Sequence, residues 1–480
     1  MHGLVGRYGE RKVYYAGRNR GGRMLANALG RALWLKAVYT GGVKWILAAS
    51  VWTGVLAVGA VAGGAGDCPP AGDPVVAGEA LTHGPYLGHV DHESARLWMR
   101  MSVAGAYVLS WGTGSEALAV IPENDLCATF TLVDLAPQSE VVYTLRRAAD
   151  EDVLLTGSLC TGPRPESGER VRLVFGSCAN DLKRPQQEIW ARIMEEAPDA
   201  LVLLGDTPYI DSTELSIQRR RYREFFSQAQ MAPVLKAVPT YATWDDHDFG
   251  RNYTDGLLAG KENSRQAFLE YHANPSAGEE GAGIFTSFRR GPVEVFLLDT
   301  RWFAGTEPSF ADPDAPTLLG ARQWAWLRRG LQASDAPFKL LACGMIWNGA
   351  TRPGKTDHWG SYVHEREALF RWLGEQGISG VVLVGGDIHR TRVVRHAAAQ
   401  LDGAGLVEWI TSPLAYSVIK AANAPHPGLL YDGGLTDTCL VFDIEVAAQA
   451  ARLLGRIIDP AGKVHFSLEQ RAPLTGASGH

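Results

Sequence analysis

Between residues 171 and 387, apolar segments alternate with amphipathic ones. The apolar segments end in Cys, Met or Asp, and they predict buried strands in VRLVFGSC, ALVLLGD, PTYATWDD, VEVFLLD, FKLLACGM and GVVLVGGD. Between them, apolar residues recur at spacings of three and four, which predicts helices in RPQQEIWARIMEE, the stretch from Ser216 to Val238, LLGARQWAWLRRGL and EREALFRWLGEQ. Strands that are apolar on both faces and alternate with helices indicate an α/β architecture.

The segments on either side of this region have a different pattern. Residues 81–165 contain short β-forming segments separated by turn residues, among them ARLWMRMSV, AYVLSWG, ATFTLVDL and VVYTLRRA. The loop at residues 135–137 followed by Tyr143 resembles that of a fibronectin-type module. Near the carboxyl terminus, CLVFDIEV and ARLLGRIIDPAGKVHFSLE predict strands that close a second sheet. We therefore expect a small β-sandwich over 81–165 and a catalytic α/β domain over 170–470.

Composition narrows the class of protein. The 480 residues are 46% hydrophobic and 20% charged, which is typical of packed globular proteins and excludes a disordered chain. Lys and Arg number 46 against 52 Asp and Glu, so the chain has no overall positive charge to hold a nucleic acid, and we predict no nucleic-acid binding. The six cysteines include no CxxC pair. Cys127 and Cys160 could pair in an oxidising compartment, which spacing alone leaves open.

The amino-terminal segment is first basic and then apolar. Residues 1–44 contain a single acidic residue against nine Lys and Arg, and residues 45–66 contain no charge over a length that suits a membrane-spanning helix. The positive-inside rule places the following chain outside the cytoplasm, in the periplasm or the extracellular space. We predict a basic leader with a signal peptide or membrane anchor over 1–66 and a linker over 67–80. The sequence at 60–62 resembles a signal-peptidase site, so both a cleaved signal and an uncleaved anchor fit, and membrane association through 45–66 stays open.

Side chains with metal-binding atoms follow the predicted strands of the α/β region. They are Cys178, Asp206, Asp245, Asp299 and Asp387. Because the carboxyl ends of neighbouring parallel strands meet at one edge of a sheet, ligands bind at that edge in open α/β folds. We expect a functional site there.

Five motifs in this region resemble those of the PhoD-like alkaline phosphatases and phosphodiesterases, which are calcineurin-like metallophosphoesterases related to purple acid phosphatases. The motifs are FGSC at 175–178, GDTPY at 205–209, WDDHDFG at 244–250, LDTR at 298–301 and GGDIHR at 385–390. The resemblance covers about residues 80–450. It implies a four-layer calcineurin-like metallophosphoesterase sandwich, here preceded by the small all-β fibronectin-like domain, and a phosphate-ester substrate.

The residue types and the resemblance together assign ligands to a first metal ion. Asp206 follows a glycine at a strand end and can bridge two cations through its two oxygens. Tyr209 lies three residues further on and can reach the same ion as a phenolate. The family resemblance implies that Cys178 binds this ion as a thiolate and that His389 supplies a neutral imidazole. Phenolate and thiolate ligands favour Fe3+.

The predicted second ion has only oxygen ligands, namely Asp206, Asp246 and Asp387. Hard oxygen ligands suit Ca2+ better than zinc, so we expect a ferric ion beside one or two calcium ions, as the resemblance also implies. Asn348 is a further oxygen candidate. Asp245 and Asp248 are either orienting residues or additional calcium ligands.

Two residues are predicted to act on the substrate. His247 matches the histidine of the superfamily's Asn-His-Glu motif, which implies that it contacts the phosphate or protonates the leaving oxygen; a core histidine is the alternative. Arg301 directly follows a strand end and could hold a phosphate oxygen with its planar guanidinium, with a surface salt bridge as the alternative.

These assignments predict a phosphomonoesterase or phosphodiesterase outside the cytoplasm, in which a metal-bound hydroxide attacks phosphorus in line. The alternative is a non-catalytic, metal-stabilised binding module with a degenerate phosphatase fold, because Arg390 at the end of GGDIHR could crowd the site. The sequence leaves the choice between monoester and diester, and the oligomeric state, open.

Overall fold

The computed structural model describes residues 75–76, 80–397 and 405–474. The predicted leader and the apolar segment 45–66 lie outside these residues, as does most of the predicted linker. Among the described residues, no helix combines the length and the apolar character that crossing a bilayer requires.

The amino-terminal part consists of two antiparallel sheets. Its strands are β1 (Val75–Val76), β2 (Leu81–Val90), β3 (Ala95–Met101), β4 (Gly105–Trp111), β5 (Gly114–Val120), β6 (Cys127–Leu132), β7 (Glu140–Arg147) and β8 (Val153–Cys160). One sheet has the order β1-β8-β7-β4-β5 and the other β2-β3-β6. Residues that alternate along these strands, such as Leu97 with Met99 and Leu109 with Trp111, point into a shared core. The predicted β-sandwich is therefore present; its fibronectin-like character stays a prediction.

Two larger sheets form the remainder of the chain. The first has the order β11-β10-β9-β19-β20-β21, and the second has the order β12-β13-β14-β15-β17-β16-β18. Their strands are β9 (Val171–Gly176), β10 (Ala200–Leu204), β11 (Thr240–Thr243), β12 (Thr286–Arg290), β13 (Val293–Leu297), β14 (Phe338–Ala342), β15 (Val381–Gly385), β16 (Arg392–His396), β17 (Leu406–Ile410), β18 (Leu429–Asp432), β19 (Cys439–Val446), β20 (Ala451–Ile458) and β21 (Val464–Ala472). Strands β9, β10 and β11 of the first sheet are parallel, as are β13, β14, β15 and β17 of the second, so the carboxyl ends of each set lie at one edge.

In the described part of the chain, seven α-helices cover the outer faces of the two sheets. They are α1 (Ile189–Glu195), α2 (Leu215–Phe226), α3 (Ala232–Ala237), α4 (Asp246–Phe249), α5 (Lys261–Tyr271), α6 (Gly320–Ala333) and α7 (Val363–Glu375). Strand β10 illustrates the layering, because Leu201 and Leu203 pack towards α1–α5 while Val202 and Leu204 pack towards the other sheet. Helices α6 and α7 cover the second sheet. The result is the predicted four-layer helix–sheet–sheet–helix arrangement.

The β-sandwich packs directly against the helical layer of the first sheet. Trp98 of β3 is 2% exposed, stacks on Tyr86, and its indole N–H donates to the carbonyl of Glu270 at 2.7 Å. The hydroxyl of Tyr86 donates to the carbonyl of Phe226 at 2.8 Å. The two parts thus share one hydrophobic cluster, and the predicted limits of two separate domains stay a prediction.

The structure confirms most predicted elements and corrects others. The stretch from Ser216 to Val238 forms two helices, because the helix pattern is interrupted before Pro233, which lies in the first turn of α3. Helix α5 was not predicted, since only four of its eleven residues are buried and its apolar stripe is narrow. Cys127 and Cys160, whose pairing the sequence left open, are not paired with each other: Cys127 is a free, buried thiol, whereas Cys160 is disulfide-bonded.

Candidate metal centre

Four strands deliver the predicted ligands to one edge of the two sheets. Cys178 follows β9, Asp206 follows β10, Asp246 follows β11, and Asp387 and His389 follow β15. The glycine of the GDTPY motif makes this approach possible. Gly205 has a φ of +83°, and a Cβ at this position would lie 2.3 Å from the backbone nitrogen of Asp245. Only glycine allows β10 and β11 to end so close together.

The first group of predicted ligands surrounds one point. The Sγ atom of Cys178 lies 3.4 Å from Oδ2 of Asp206, and the hydroxyl of Tyr209 lies 3.3 Å from the same oxygen. The Tyr209 hydroxyl is also 2.8 Å from Nε2 of His389. All four side chains are buried, and the ligand atoms of Cys178, Asp206 and His389 lie within 4.8 Å of one another. Sulfur, phenol, imidazole and carboxylate therefore converge as predicted for the first ion.

A second group shares Asp206 with the first. Ligand atoms of Asp206, Asp246 and His247 lie within 4.8 Å of one another. Oδ2 of Asp246 accepts a hydrogen bond from the backbone N–H of Tyr253 at 2.7 Å, whereas its buried Oδ1 has no hydrogen-bond partner. A buried carboxylate oxygen without a partner is costly unless a cation satisfies it.

Asp387, the remaining predicted ligand, is adjacent to this group and is engaged by a lysine. Its Oδ2 lies 2.7 Å from Nζ of Lys355, and the same ammonium is 2.7 Å from Oδ1 of Asp357. Asp387 does not belong to either of the two ligand groups described above.

Several of these residues adopt a left-handed backbone conformation. The φ angles are +58° for Cys178, +53° for Asp206, +69° for Asp387 and +49° for His389. This conformation disfavours residues with a Cβ atom, and such strained residues cluster at functional sites. The unfavourable backbone conformation at these strand ends thus lowers local stability, but it directs the side chains to the two ligand groups.

The pKa values of the first group indicate that these side chains need a cation to ionise. Burial, and then the charge of Asp206, raise the pKa of the Cys178 thiol well above its usual range. The same two causes raise the pKa of Tyr209. Burial also raises the pKa of Asp206, to which nearby Asp246 adds. Burial lowers the pKa of His389 to about 3, which keeps its imidazole neutral, the form that binds metals. Cys178, Tyr209 and Asp206 would therefore ionise more readily when a metal cation is bound next to them.

The two histidines of the site differ in charge. Burial lowers the pKa of His247, but the negative charges of Asp206 and Asp211 outweigh burial and raise it to about 10. Nδ1 of His247 lies 2.6 Å from Oδ1 of Asp211, and the side chain of His247 is 21% exposed. His247 is therefore a partly accessible histidine of the second group that pairs with Asp211, and not a core histidine.

The sequence left an orienting role and a calcium-ligand role open for Asp248 and Asp245, and both residues hold neighbouring groups of the site. The Asp248 carboxylate accepts hydrogen bonds from the backbone N–H groups of Thr207 at 2.8 Å, Asp245 at 2.9 Å and Asp206. It fixes the turn that carries Asp206. Asp245 accepts from the guanidinium of Arg301 and caps α4, but its buried Oδ2 has no hydrogen-bond partner, so the calcium-ligand role stays open for it.

Arg301 is fully buried and held by protein acceptors. Its Nε donates to Asp245 at 2.7 Å, and its Nη1 donates to Oδ2 of Asp357 at 3.2 Å and to the carbonyl of Thr254 at 3.1 Å. Its side chain is 0% exposed. The guanidinium therefore holds the carboxylates of Asp245 and Asp357 in place. The surface salt bridge considered from the sequence is wrong, because the side chain of Arg301 is buried.

Two other sequence-based candidates are directed elsewhere. The amide of Asn348 donates to Glu408 at 2.8 Å, and its oxygen accepts from the backbone N–H of Ala350 at 2.6 Å, so Asn348 is engaged away from the ligand groups. Arg390 forms an ion pair with Asp432 at 2.6 Å and does not crowd the site.

The sequence interpretation missed three residues at the site. Ser412 donates to Sγ of Cys178 at 3.1 Å, accepts from the backbone N–H of His389 at 3.0 Å, and follows β17, so its position after a buried strand could have identified it. Asp211 lies in the same loop as Asp206, but no motif indicated it. Lys355 lies in an irregular segment before α7 with no local signal.

The donor set fits the two predicted ions. A thiol, a phenol, an imidazole and a carboxylate at one point suit a ferric ion, and the unpartnered Oδ1 of Asp246 beside Asp206 suits a hard cation. The buried carboxylates at this edge of the sheets include Asp206, Asp245, Asp246, Asp248, Asp299, Asp357 and Asp387, while the permanently charged buried cations among them are Arg301 and Lys355. The excess of negative charge is the electrostatic basis for binding metal ions.

Solved structures of phosphatases have the same fold. The structure of PhoD superposes with a TM-score of 0.63 at 16% identity, covering 82% of this chain and 92% of that one. A purple acid phosphatase from yellow lupin superposes with a TM-score of 0.61 at 14% identity, covering 82% of this chain and 74% of that one. This chain thus has the fold of PhoD and of the lupin purple acid phosphatase.

The sequence defines the family more narrowly. The model of the PhoD-like phosphatases matches residues 173–428, more than half of the chain, and the chain belongs to that family. Alkaline phosphatase D of Bacillus subtilis (strain 168) is 23% identical over 297 residues, which are 52% of this chain and 51% of that protein. The match therefore spans about half the length of that relative.

Proposed function

We propose that this protein is a metal-dependent hydrolase of phosphate esters that acts outside the cytoplasm. The observation that carries the proposal is the position of Asp206, whose carboxylate belongs to both ligand groups and can join two metal ions. Neighbouring cations around one carboxylate are the arrangement that phosphoester hydrolases use to clamp a phosphoryl group.

The assigned ligands of the ferric ion are Cys178, Asp206, Tyr209 and His389. Those of the calcium site are Asp206, Asp246 and Asp387. When bound, the two ions would supply positive charge for the phosphoryl oxygens and lower the pKa of water towards about 7, which makes hydroxide available for in-line attack on phosphorus at mild pH. Cys178 is then a ligand and does not act as a nucleophile, because its thiol lies among other ligand atoms and is fully buried.

His247 is the proposed acid for the leaving oxygen. Its ring is partly exposed, and Asp211 holds Nδ1 at 2.6 Å, so Nε2 is the nitrogen left to face a substrate. The carboxylate of Asp211, which pairs with Nδ1 and is not an assigned metal ligand, favours the protonated ring. An alkoxide leaving group needs that proton when the ester bond breaks.

Arg301 is assigned a positioning role in place of the phosphate contact predicted from the sequence. Its donors are used by Asp245, Asp357 and Thr254, and no part of its side chain is exposed. It holds Asp245 next to Asp246, and so fixes the start of α4, on which His247 also lies.

The test is an assay of the purified full chain after reconstitution with Fe3+ and Ca2+. Bis-p-nitrophenyl phosphate and p-nitrophenyl phosphate separate diester from monoester hydrolysis. We expect turnover of at least one, loss of turnover after chelation, and recovery when the metals are returned. If both metals are bound by elemental analysis and neither substrate is cleaved, the non-catalytic binding module is the correct interpretation.

The extracytoplasmic location is proposed from the basic segment 1–44 followed by the uncharged segment 45–66. The disulfide at Cys160 supports it, because disulfides persist in oxidising compartments. Cell fractionation with an antibody against the catalytic part would test it, and recovery of the chain in the cytoplasm would contradict it.

A further inference from the structure

Lys355 is a buried cation placed among the acidic residues of the metal centre. Its Nζ lies 2.7 Å from Oδ2 of Asp387 and 2.7 Å from Oδ1 of Asp357, and its side chain is 2% exposed. The ammonium also lies 5.1 Å from the ring centre of Tyr253. A lysine is almost never fully buried unless its charge is paired, so these carboxylates define its position.

The two ion pairs have nearly the dimensions of a calcium site. Calcium binds carboxylate oxygens at about 2.3–2.6 Å, only slightly closer than Lys355 Nζ lies to Asp357 and Asp387. Oδ2 of Asp387 makes no aligned hydrogen bond to Nζ despite its short distance, so the contact is one between charges. A metal cation bound by these two carboxylate oxygens would occupy the same space as the ammonium of Lys355, so the two cannot be present together.

We propose that Lys355 is a built-in cation of the site, which takes the position between Asp357 and Asp387 where a further calcium ion would bind. The inference rests on the proposed function and makes it more specific, because it limits the centre to one ferric ion and one calcium ion. Lys355 acts through the carboxylates and is a positioning residue.

The surroundings of Lys355 hold the ammonium in place. The backbone N–H of Lys355 donates to the carbonyl of Arg352 at 3.3 Å, and its own carbonyl lies 2.9 Å from Nε2 of His358. Arg301 occupies Oδ2 of Asp357 at 3.2 Å, which leaves Oδ1 for Lys355. Since the ammonium is part of the chain, its occupancy does not depend on the calcium concentration, whereas that of an ion does.

The number of bound calcium ions tests this proposal. The full chain, loaded with one equivalent of Fe3+, is dialysed against increasing Ca2+, and bound metal is counted by elemental analysis. We expect the native chain to bind one calcium ion and Lys355→Met to bind two, with an additional calcium-dependent rise in Tm. Lys355→Arg keeps the charge and should bind one. Lys339→Met is the matched control, because Lys339 is also buried but donates to the carbonyl of Ala336 and should leave the count at one.

Three results would overturn the proposal. One is a native chain that binds two calcium ions beside iron, a measurement that does not require any variant to fold. Another is a folded Lys355→Met chain that binds a single calcium ion at every concentration. The third is a Lys355→Met chain with unchanged metal content and weaker inhibition by inorganic phosphate, which would identify Lys355 as a direct phosphate ligand. Absence of turnover in the native chain would reject the proposed function, while the calcium count would still decide the role of Lys355.

Discussion

Nδ1 of His247 lies 2.6 Å from Oδ1 of Asp211, and this contact joins the proposed acid to a carboxylate that no sequence motif indicated. Asp211 is half exposed, so its substitution leaves the buried ligand groups intact. The contact also leaves Nε2 as the free ring nitrogen, because Nδ1 is paired with Asp211 and cannot donate a proton to the leaving group.

The pH dependence of turnover tests this pair. Burial lowers the pKa of His247, whereas the carboxylates of Asp206 and Asp211 raise it. Bound cations would offset the charge of Asp206 but not the hydrogen bond of Asp211 to Nδ1, so Asp211 should still raise the pKa of the ring, and activity should fall as the pH rises through that pKa. Removing one negative charge lowers the pKa of a neighbouring imidazolium. We expect Asp211→Asn to shift the alkaline limb of kcat/KM downwards by about 1 to 2 pH units. An unchanged alkaline limb would exclude Asp211 as the partner of the acid.

His247→Ala separates catalysis from metal binding. The imidazole is a proposed proton donor, so its loss should lower kcat by about 10²–10⁴-fold while iron and calcium contents stay at native values. A substrate with a good leaving group, such as p-nitrophenol, should be affected less than an alkyl phosphate. Loss of metal together with rate would instead make His247 a ligand.

The shared position of Asp206 predicts a different outcome for its removal. Asp206→Ala should lose both iron and calcium and reduce turnover to the background level, because both ligand groups include this carboxylate. Asp437→Asn is a matched control, since Asp437 pairs with Arg184 away from these groups. An Asp206→Ala chain that retains either ion at full occupancy would contradict the bridging role.

Colour reports on the proposed ferric ion directly. Phenolate and thiolate ligands on Fe3+ should give a visible charge-transfer band, which Tyr209→Phe or Cys178→Ala shifts or abolishes. Cys439→Ala removes another buried free thiol outside the ligand groups and should leave the band unchanged. Iron-loaded protein without colour would exclude this ligand set.

A histidine far from the strand ends predicts how stability depends on pH. The ring of His272 packs against Phe268, Phe226 and Tyr222, and burial lowers its pKa to about 3. Below the ordinary value of 6.5 the unfolded chain gains a proton that the folded chain does not. The free energy of unfolding should therefore fall by about 1.4 kcal/mol per pH unit between pH 6 and 4 from this residue alone. His272→Phe should reduce that slope in urea titrations, and an equal slope in both proteins would contradict the assignment.

Much of the α/β layering and the main ligand set could be predicted from local sequence. Strands such as β10 are apolar throughout and end in Gly-Asp, so both their burial and the location of Asp206 follow from the pattern. The stretch from Ser216 to Val238 was predicted as one helix, because its two helices have the same spacing of apolar residues. Cys160 could not be assigned a partner, since pairing depends on which chain segments meet in space.

The functions of charged residues at the centre were harder to predict, for a physical reason. The sequence does not distinguish a buried arginine from an exposed one. Only the fold shows that Arg301 is buried and faces Asp245 and Asp357. Lys355 reaches Asp387 from another loop, so the contact depends on how two distant segments pack. Ser412 was the exception, because it directly follows a strand and could have been found by the rule that located Asp206.

Trp98 and Tyr86 have a practical consequence for anyone who shortens this protein. These rings come from the β-sandwich but fill the surface of helices α2 and α5, where both also donate hydrogen bonds. A truncation that begins at residue 170 would strip aromatic side chains from the catalytic part and leave Phe226 and Tyr271 facing solvent. Such a fragment should aggregate on expression, because exposed aromatic surface promotes association. The amino-terminal module is therefore an integral part of the fold and not a separable domain.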